Sequence, residues 1–232
     1  MRSWNLPARG AMGAMALTAI LIPLTEAKPI AFANGTTIMV EYGGSTMREA
    51  QAFYAPRFDL SMGGGYVKLT SDEDGRTREI GYARVNYLAK RWNGEASQAN
   101  VFVWGGFGGA RLTEPSSTVV ADTVEAGTVV AANAGAQFDF ETRRWYASAK
   151  SDLQWSERFS HRIDTVQLGV APYAHDYDTL ATWFLIQGRR YSGGLYDGTE
   201  GAVLLRLFKR NKWLEAGVTT DGQLQAMFMY NF

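Results

Sequence analysis

With 232 residues, 23 basic against 23 acidic side chains and a formal net charge of zero, the chain carries no basic footprint for nucleic acid. It has no cysteine, which excludes disulfide scaffolds, thiolate zinc sites and thiol nucleophiles together. No stretch reaches the ~18 consecutive apolar residues of a membrane-spanning helix.

The first segment reads as a secretory leader. Arg2 and Arg9 supply a positive start, residues 11–22 form a short apolar run, and Pro23 breaks it. Ala31-Phe32-Ala33 then offers a small-x-small cleavage site. At about 12 residues the run falls well short of the ~20 needed to cross a bilayer as a helix. The expected division is a signal peptide over 1–33 and one folded domain over 34–232. Removing 1–33 takes away Arg2, Arg9, Lys28 and Glu26, leaving about 20 basic against 22 acidic residues.

From Thr36 onward the hydrophobic period is 2. Turn signals divide the chain into strands at 36–43, 47–55, 57–70, 77–92, 98–110, 127–140, 143–154, 162–173, 179–191, 200–210, 212–219 and 222–232. That makes twelve, or ten if 36–55 does not form two strands. In 127–140, Val130, Ala132, Ala134, Ala136, Phe138 and Phe140 alternate with Asn133, Gln137 and Asp139. In 143–154 and just beyond, Trp145, Ala147, Ala149, Leu153 and Trp155 alternate with Arg144, Tyr146, Ser148, Lys150, Asp152 and Gln154. Strict alternation over ten or more residues is a strand signature. Soluble sandwiches use strands of about 5–6 residues, whereas a tilted membrane-spanning strand needs about 9–11. Rings near segment ends (Trp92, Trp145, Trp155, Tyr173, Tyr191, Trp213, Tyr230) suit the two headgroup levels. Gly63-Gly64-Gly65 and Gly105-Gly106 with Gly108-Gly109 read as points of curvature, or as space left for another group.

The last segment puts Phe228, Tyr230 and Phe232 at every second position. This pattern resembles the terminal strand of bacterial outer-membrane β-barrel proteins, where the aromatic end acts as an assembly signal. The resemblance covers roughly 34–232 and reaches no particular member family. It implies an all-β fold, a single closed antiparallel transmembrane barrel of about twelve strands. It further implies export, insertion by the barrel assembly machinery, and contact with outer-membrane lipid and lipopolysaccharide. An even strand count puts both termini on the periplasmic side. The short connections at 55–57, 141–143 and 210–212 then lie in the periplasm, and those at 71–76, 112–126, 156–161 and 192–199 lie outside.

The polar face of each strand is the expected lumen. Its charged lining is Glu41, Glu49, Arg84, Lys90, Asp139, Arg144, Lys150, Asp152, Arg189, Arg206 and Glu215. A selective pore would show one dominant sign at its constriction, and this set shows both. A twelve-stranded barrel lies between filled eight-stranded and open sixteen-stranded ones, so a narrow channel and a packed lumen are both compatible. The leading expectation is a narrow porin-like channel for small solutes, with a structural barrel of filled, salt-bridged lumen second. A rim hydrolase is third, and the chain is read as not an enzyme. Ser160 and His161 are adjacent, so a strand would send them to opposite faces. Asp72-Glu73-Asp74-Gly75 lacks the spacing of a calcium loop, and with His175-Asp176-Tyr177-Asp178 it reads as turn chemistry. No metal or cofactor is expected. Arg76, Arg78 and Arg111 are expected to touch lipopolysaccharide by ion pairing.

Overall fold

A computed structural model describes residues 32–72, 75–113, 127–175, 178–193 and 195–232. Most of the expected leader and of the 112–126 connection therefore lies outside the described residues. Twelve strands follow one another: β1 Gly35–Gly43, β2 Met47–Arg57, β3 Leu60–Thr70, β4 Thr77–Asn93, β5 Ser97–Thr113 and β6 Thr128–Thr142. The second half is β7 Trp145–Ser156, β8 Ser160–Val170, β9 Ala181–Ser192, β10 Gly198–Lys209, β11 Lys212–Thr219 and β12 Leu224–Asn231. Each pairs antiparallel with its sequence neighbours, and β1 pairs with β12 to close the barrel. At the seam, Thr36 N donates to Phe232 O at 2.6 Å and Phe232 N donates to Thr36 O at 2.9 Å. Closure leaves no edge strand, so every ladder group finds a partner without water.

Period-2 alternation decides what each face meets. The outward side of β4 reads Glu79, Gly81, Ala83, Val85, Tyr87, and then Lys90 and Trp92 past a register shift between Leu88 and Lys90. Eleven residues at about 3.3 Å each, tilted about 40°, put Glu79 and Lys90 roughly 28 Å apart along the barrel axis. That matches the apolar band of about 25 Å expected of a transmembrane barrel. Rings mark both borders. Tyr54, Phe58, Tyr87, Trp92, Trp145 and Tyr230 stand exposed or half-exposed near the end that holds the termini, and Tyr42, Tyr66 and Trp155 near the other. Tyr191 and Trp213, expected in these girdles, instead point inward and are buried.

Inside, apolar side chains form layers at both ends. The end opposite the termini, called here the loop end, is filled by Met47, Val67, Leu69, Ile80, Ala110 and Val129. Phe159 and Leu195, from the β7–β8 and β9–β10 connections, fold in to complete that layer, with Tyr196 packed against it. At the terminal end Trp183, Leu185, Leu204, Phe208, Trp213 and Met229 form one cluster, and Ala55, Leu88, Phe102 and Trp104 a second. Two glycines show what the glycine-rich strands are for. A Cβ at Gly63 would run into the Ala52 carbonyl of β2, so glycine permits the close approach of curved strands there. At Gly65 it would lie 2.6 Å from the Tyr82 hydroxyl, so the space is taken by an inward ring.

Candidate functional site in the lumen

Between the apolar layers lies a polar belt drawn from nearly every strand. Inward positions place Glu41 on β1, Glu49 and Gln51 on β2, and Arg84 on β4. The far wall adds Lys150 and Asp152 on β7, Arg189 on β9, Arg206 on β10 and Glu215 on β11. The belt is balanced: Arg84, Lys150, Arg189 and Arg206 face Glu41, Glu49, Asp152 and Glu215.

Three of these cations are held by hydrogen-bonded ion pairs or close charge contacts. Arg189 Nη2 donates to Glu41 Oε1 at 2.7 Å, linking β9 to β1 across three intervening strands. Arg84 Nη1 lies 3.6 Å from Asp152 Oδ2, linking β4 to β7, while its Nη2 donates to Gln51 Oε1 at 2.8 Å. Arg206 Nε donates to Glu215 Oε1 at 2.8 Å, and Trp213 Nε1 donates to the same oxygen at 2.9 Å. From there an amide chain crosses the belt: Arg206 to Gln167 at 3.0 Å, Gln167 to Gln187 at 2.9 Å, and Gln187 to Gln225 at 3.0 Å. Tyr82 donates to Glu49 at 2.6 Å, and Asn100 Nδ2 to Asp139 at 2.6 Å.

Aromatic faces hold the guanidinium groups from the sides. Arg206 sits 4.2 Å from the Tyr146 ring centre and 4.3 Å from that of Trp213. Arg84 lies 5.0–5.3 Å from the rings of Phe53, Tyr82 and Trp104. Weak hydration and a flat charge suit arginine to this double role, with carboxylate in its plane and rings on its faces. Lys150 differs. Its ammonium lies 5.8 Å over Trp104 and borders a cavity of about 140 Å³, together with Glu41, Gln51, Arg84, Arg189 and Arg206. That volume holds a few water molecules.

Nine of the eleven expected lining residues face the lumen. Lys90 does not: the bulge at Ala89 inserts one residue, inverts the parity of the rest of β4, and turns Lys90 outward beside Trp92. Arg144 does not either, because β6 ends at Thr142 and β7 starts at Trp145. It sits in the turn, where its guanidinium donates to the carbonyls of Ala171 and Pro172. Arg78, expected at the lipid border, points inward over the Phe159 ring at 4.6 Å. The expected assembly signal lies on the outward side of β12, with Tyr230 and Phe232 stacked at 5.6 Å.

The loop-end closure was not foreseen. Its residues are single apolar side chains in polar loops, and only a run of them would have stood out. His161 is buried beneath it against Tyr196, and among the described residues neither ring nitrogen has a hydrogen-bond partner. Burial raises the Tyr196 phenol above its ordinary pKa. Ser160 faces outward while His161 faces inward, so the two do not form a nucleophile–base pair. Asp72 accepts from Ser45 Oγ at 2.7 Å as a turn contact, while Glu73, Asp74, Asp176 and Tyr177 lie outside the described residues.

No protein-family model and no curated protein matches the sequence. Among solved structures, the chain is similar to OmpT with loop L8 deleted, an outer membrane protein of Vibrio cholerae. The identity is 11%, covering 85% of this chain and 97% of that one, with a TM-score of 0.35. It is also similar to in-vitro folded OmpT of the same organism, at 9% identity over 85% and 96% of the chains, with a TM-score of 0.29. The expectation that the chain is not an enzyme is withdrawn: the solved structures it is similar to are OmpT outer membrane proteins, and a barrel fold by itself neither excludes nor assigns an activity. The closed twelve-strand barrel, with a largely apolar outer band between rims that carry rings and charges, is that of a bacterial outer-membrane β-barrel protein.

Proposed function

We propose that the protein is an outer-membrane barrel with a filled, ion-paired lumen that does not conduct solutes at rest. The observation that carries this is the Arg189–Glu41 pair, which spans the interior between distant strands at 2.7 Å. A lumen wide enough for solute would hold these groups apart. Balanced charge supports the same reading, since a selective pore favours one sign. Residence in the outer membrane after leader-dependent export belongs to it, as does insertion by the barrel assembly machinery reading Phe228, Tyr230 and Phe232. Conductance of the purified barrel in a planar bilayer tests it. Silence up to high voltage is expected, and stepwise currents from the wild-type protein would overturn it.

A narrow gated channel is the second reading, and one observation favours it. The loop-end closure depends on Phe159, Leu195 and Tyr196, which belong to connections rather than strands. Connections can move without breaking the ladder. Phe159→Ser with Leu195→Ser distinguishes the two: current that appears only in this variant supports a gated channel, and continued silence supports the filled barrel.

A further inference from the structure

The belt balances in charge, but the wall of its cavity does not. Arg84, Lys150, Arg189 and Arg206 border the space with only Glu41 and Glu215, because Glu49 and Asp152 lie outside that wall. Each of the three arginines has a carboxylate partner, the farthest at 3.6 Å. Lys150 has none at ion-pair distance among the described residues, and the Glu49 carboxylate accepts from Tyr82 instead. Its two register neighbours are little used as well. Gln137, Lys150 and Thr165 follow one another across β6, β7 and β8, about 4.8 Å apart, and all three line the cavity half-buried. The Thr165 hydroxyl has no hydrogen bond among the described residues, and Gln137 Nε2 reaches only Asp139 Oδ2 at 3.5 Å. One cation and two neutral donors thus stand side by side with hydrogen-bonding capacity unused.

The opposite wall is apolar. Met39 on β1 lines the same space with Met227 and Met229 on β12, across the ring of strands from Lys150. Methionine side chains adapt to the shape of an alkyl chain. An apolar cavity of about 150 Å³ accommodates benzene, so a ligand of about six non-hydrogen atoms suits this one. A single negative charge answers the one ammonium without a carboxylate, and its oxygens can accept from the Thr165 hydroxyl and the Gln137 amide. We propose that the cavity is a binding site for a small aliphatic monocarboxylate. Its carboxylate lies on Gln137, Lys150 and Thr165, and its chain lies against the methionines. A ligand that enters and leaves by the same end carries no current. The site therefore goes beyond the non-conducting reading, and either can fail alone.

The test titrates butyrate into the purified full chain in nanodiscs of zwitterionic lipid, with the heat of empty nanodiscs subtracted. Saturable binding of one butyrate per chain is expected, with no binding of the neutral isostere butyramide. Lys150→Gln should weaken it about tenfold or more, the effect of one charge-assisted hydrogen bond. Lys90→Gln, which removes a cation from the outer wall, should leave it unchanged. Should the Lys150 variant fail to fold, the wild type alone decides: butyrate is held, and butyramide and octanoate, which is too long for the cavity, are not. No heat beyond that of empty nanodiscs would overturn the site, as would equal binding of butyramide or equal loss in both variants. Affinity that keeps rising from butyrate to octanoate would assign the heat to partition into lipid. Displacement by inorganic phosphate at matched concentration would mean that the methionine wall does not contribute. Either result would overturn the site too.

Discussion

Replacing Arg206 by methionine gives the sharpest test of the lumen's energetics. The guanidinium is 3% exposed and its partner Glu215 7%, so the variant leaves a carboxylate buried without its cation. Breaking a buried pair from one side costs about 3–5 kcal/mol, because the stranded charge keeps its desolvation penalty. Glu215 retains the Trp213 indole donor at 2.9 Å, a hydrogen bond worth about 1 kcal/mol, which pulls the figure toward the lower end. Loss of the Tyr146 and Trp213 faces adds roughly 1–2 kcal/mol. The net expectation is about 4 kcal/mol, read by urea unfolding of the barrel in vesicles. Arg206→Met with Glu215→Leu removes both charges and should recover most of that loss, since an apolar replacement of a buried pair is often neutral. A single variant within about 1 kcal/mol of wild type would refute the reasoning, as would a double variant as weak as the single.

Three further outcomes follow from other parts of the barrel. Gly63→Ala should abolish the folded, heat-modifiable band on a gel because its Cβ meets a backbone carbonyl, whereas Gly81→Ala, with open space around it, should leave that band intact. In this cysteine-free chain, Lys90→Cys should react readily with a membrane-permeant maleimide from the lipid side. Lys150→Cys should be shielded, and the reverse order would mean that the bulge does not invert β4. Asp59, between β2 and β3, accepts two hydrogen bonds from Arg57, which hold its carboxyl below the ordinary value. A depressed folded pKa contributes stability above the unfolded value, lost as pH falls through the folded one. The turn should therefore loosen only under strong acid, and an NMR titration midpoint at or above about 3.9 would contradict the pairing.

The strands were legible because burial alternates with a period no other element shares. Even 36–55, the least certain stretch, resolves into β1 and β2 about the Gly44 turn, where a positive φ of 65° suits glycine. Errors arose where alternation is interrupted. Nothing in the local pattern marks Ala89 as the residue that shifts register, so Lys90 was assigned to the wrong face. Arg144 was counted into a strand that begins one residue later. Tyr191 and Trp213 sit near strand ends, as girdle rings do, yet their parity sends them inward to arginine. The belt's composition could be read, but its pairings could not, because Arg189 and Glu41 are joined only by the curvature of the closed sheet. The loop-end closure was hidden for a related reason: Phe159 and Leu195 gain meaning only when two connections converge over one mouth.

The seam between the first and last strands has a kinetic consequence. Thr37 and Asn231, whose side chains share a hydrogen bond there, are 194 residues apart. Every other ladder joins neighbours in sequence and can zip locally, but this one cannot begin until nearly the whole polypeptide is in place. Contacts of such separation slow folding, because the loop-closure entropy comes due before the contact forms. Until then the growing sheet exposes two unpaired edges, each a template for a foreign strand. The nascent barrel is thus most vulnerable just before completion, and a catalyst that occupies both edges at once would act at the slowest step.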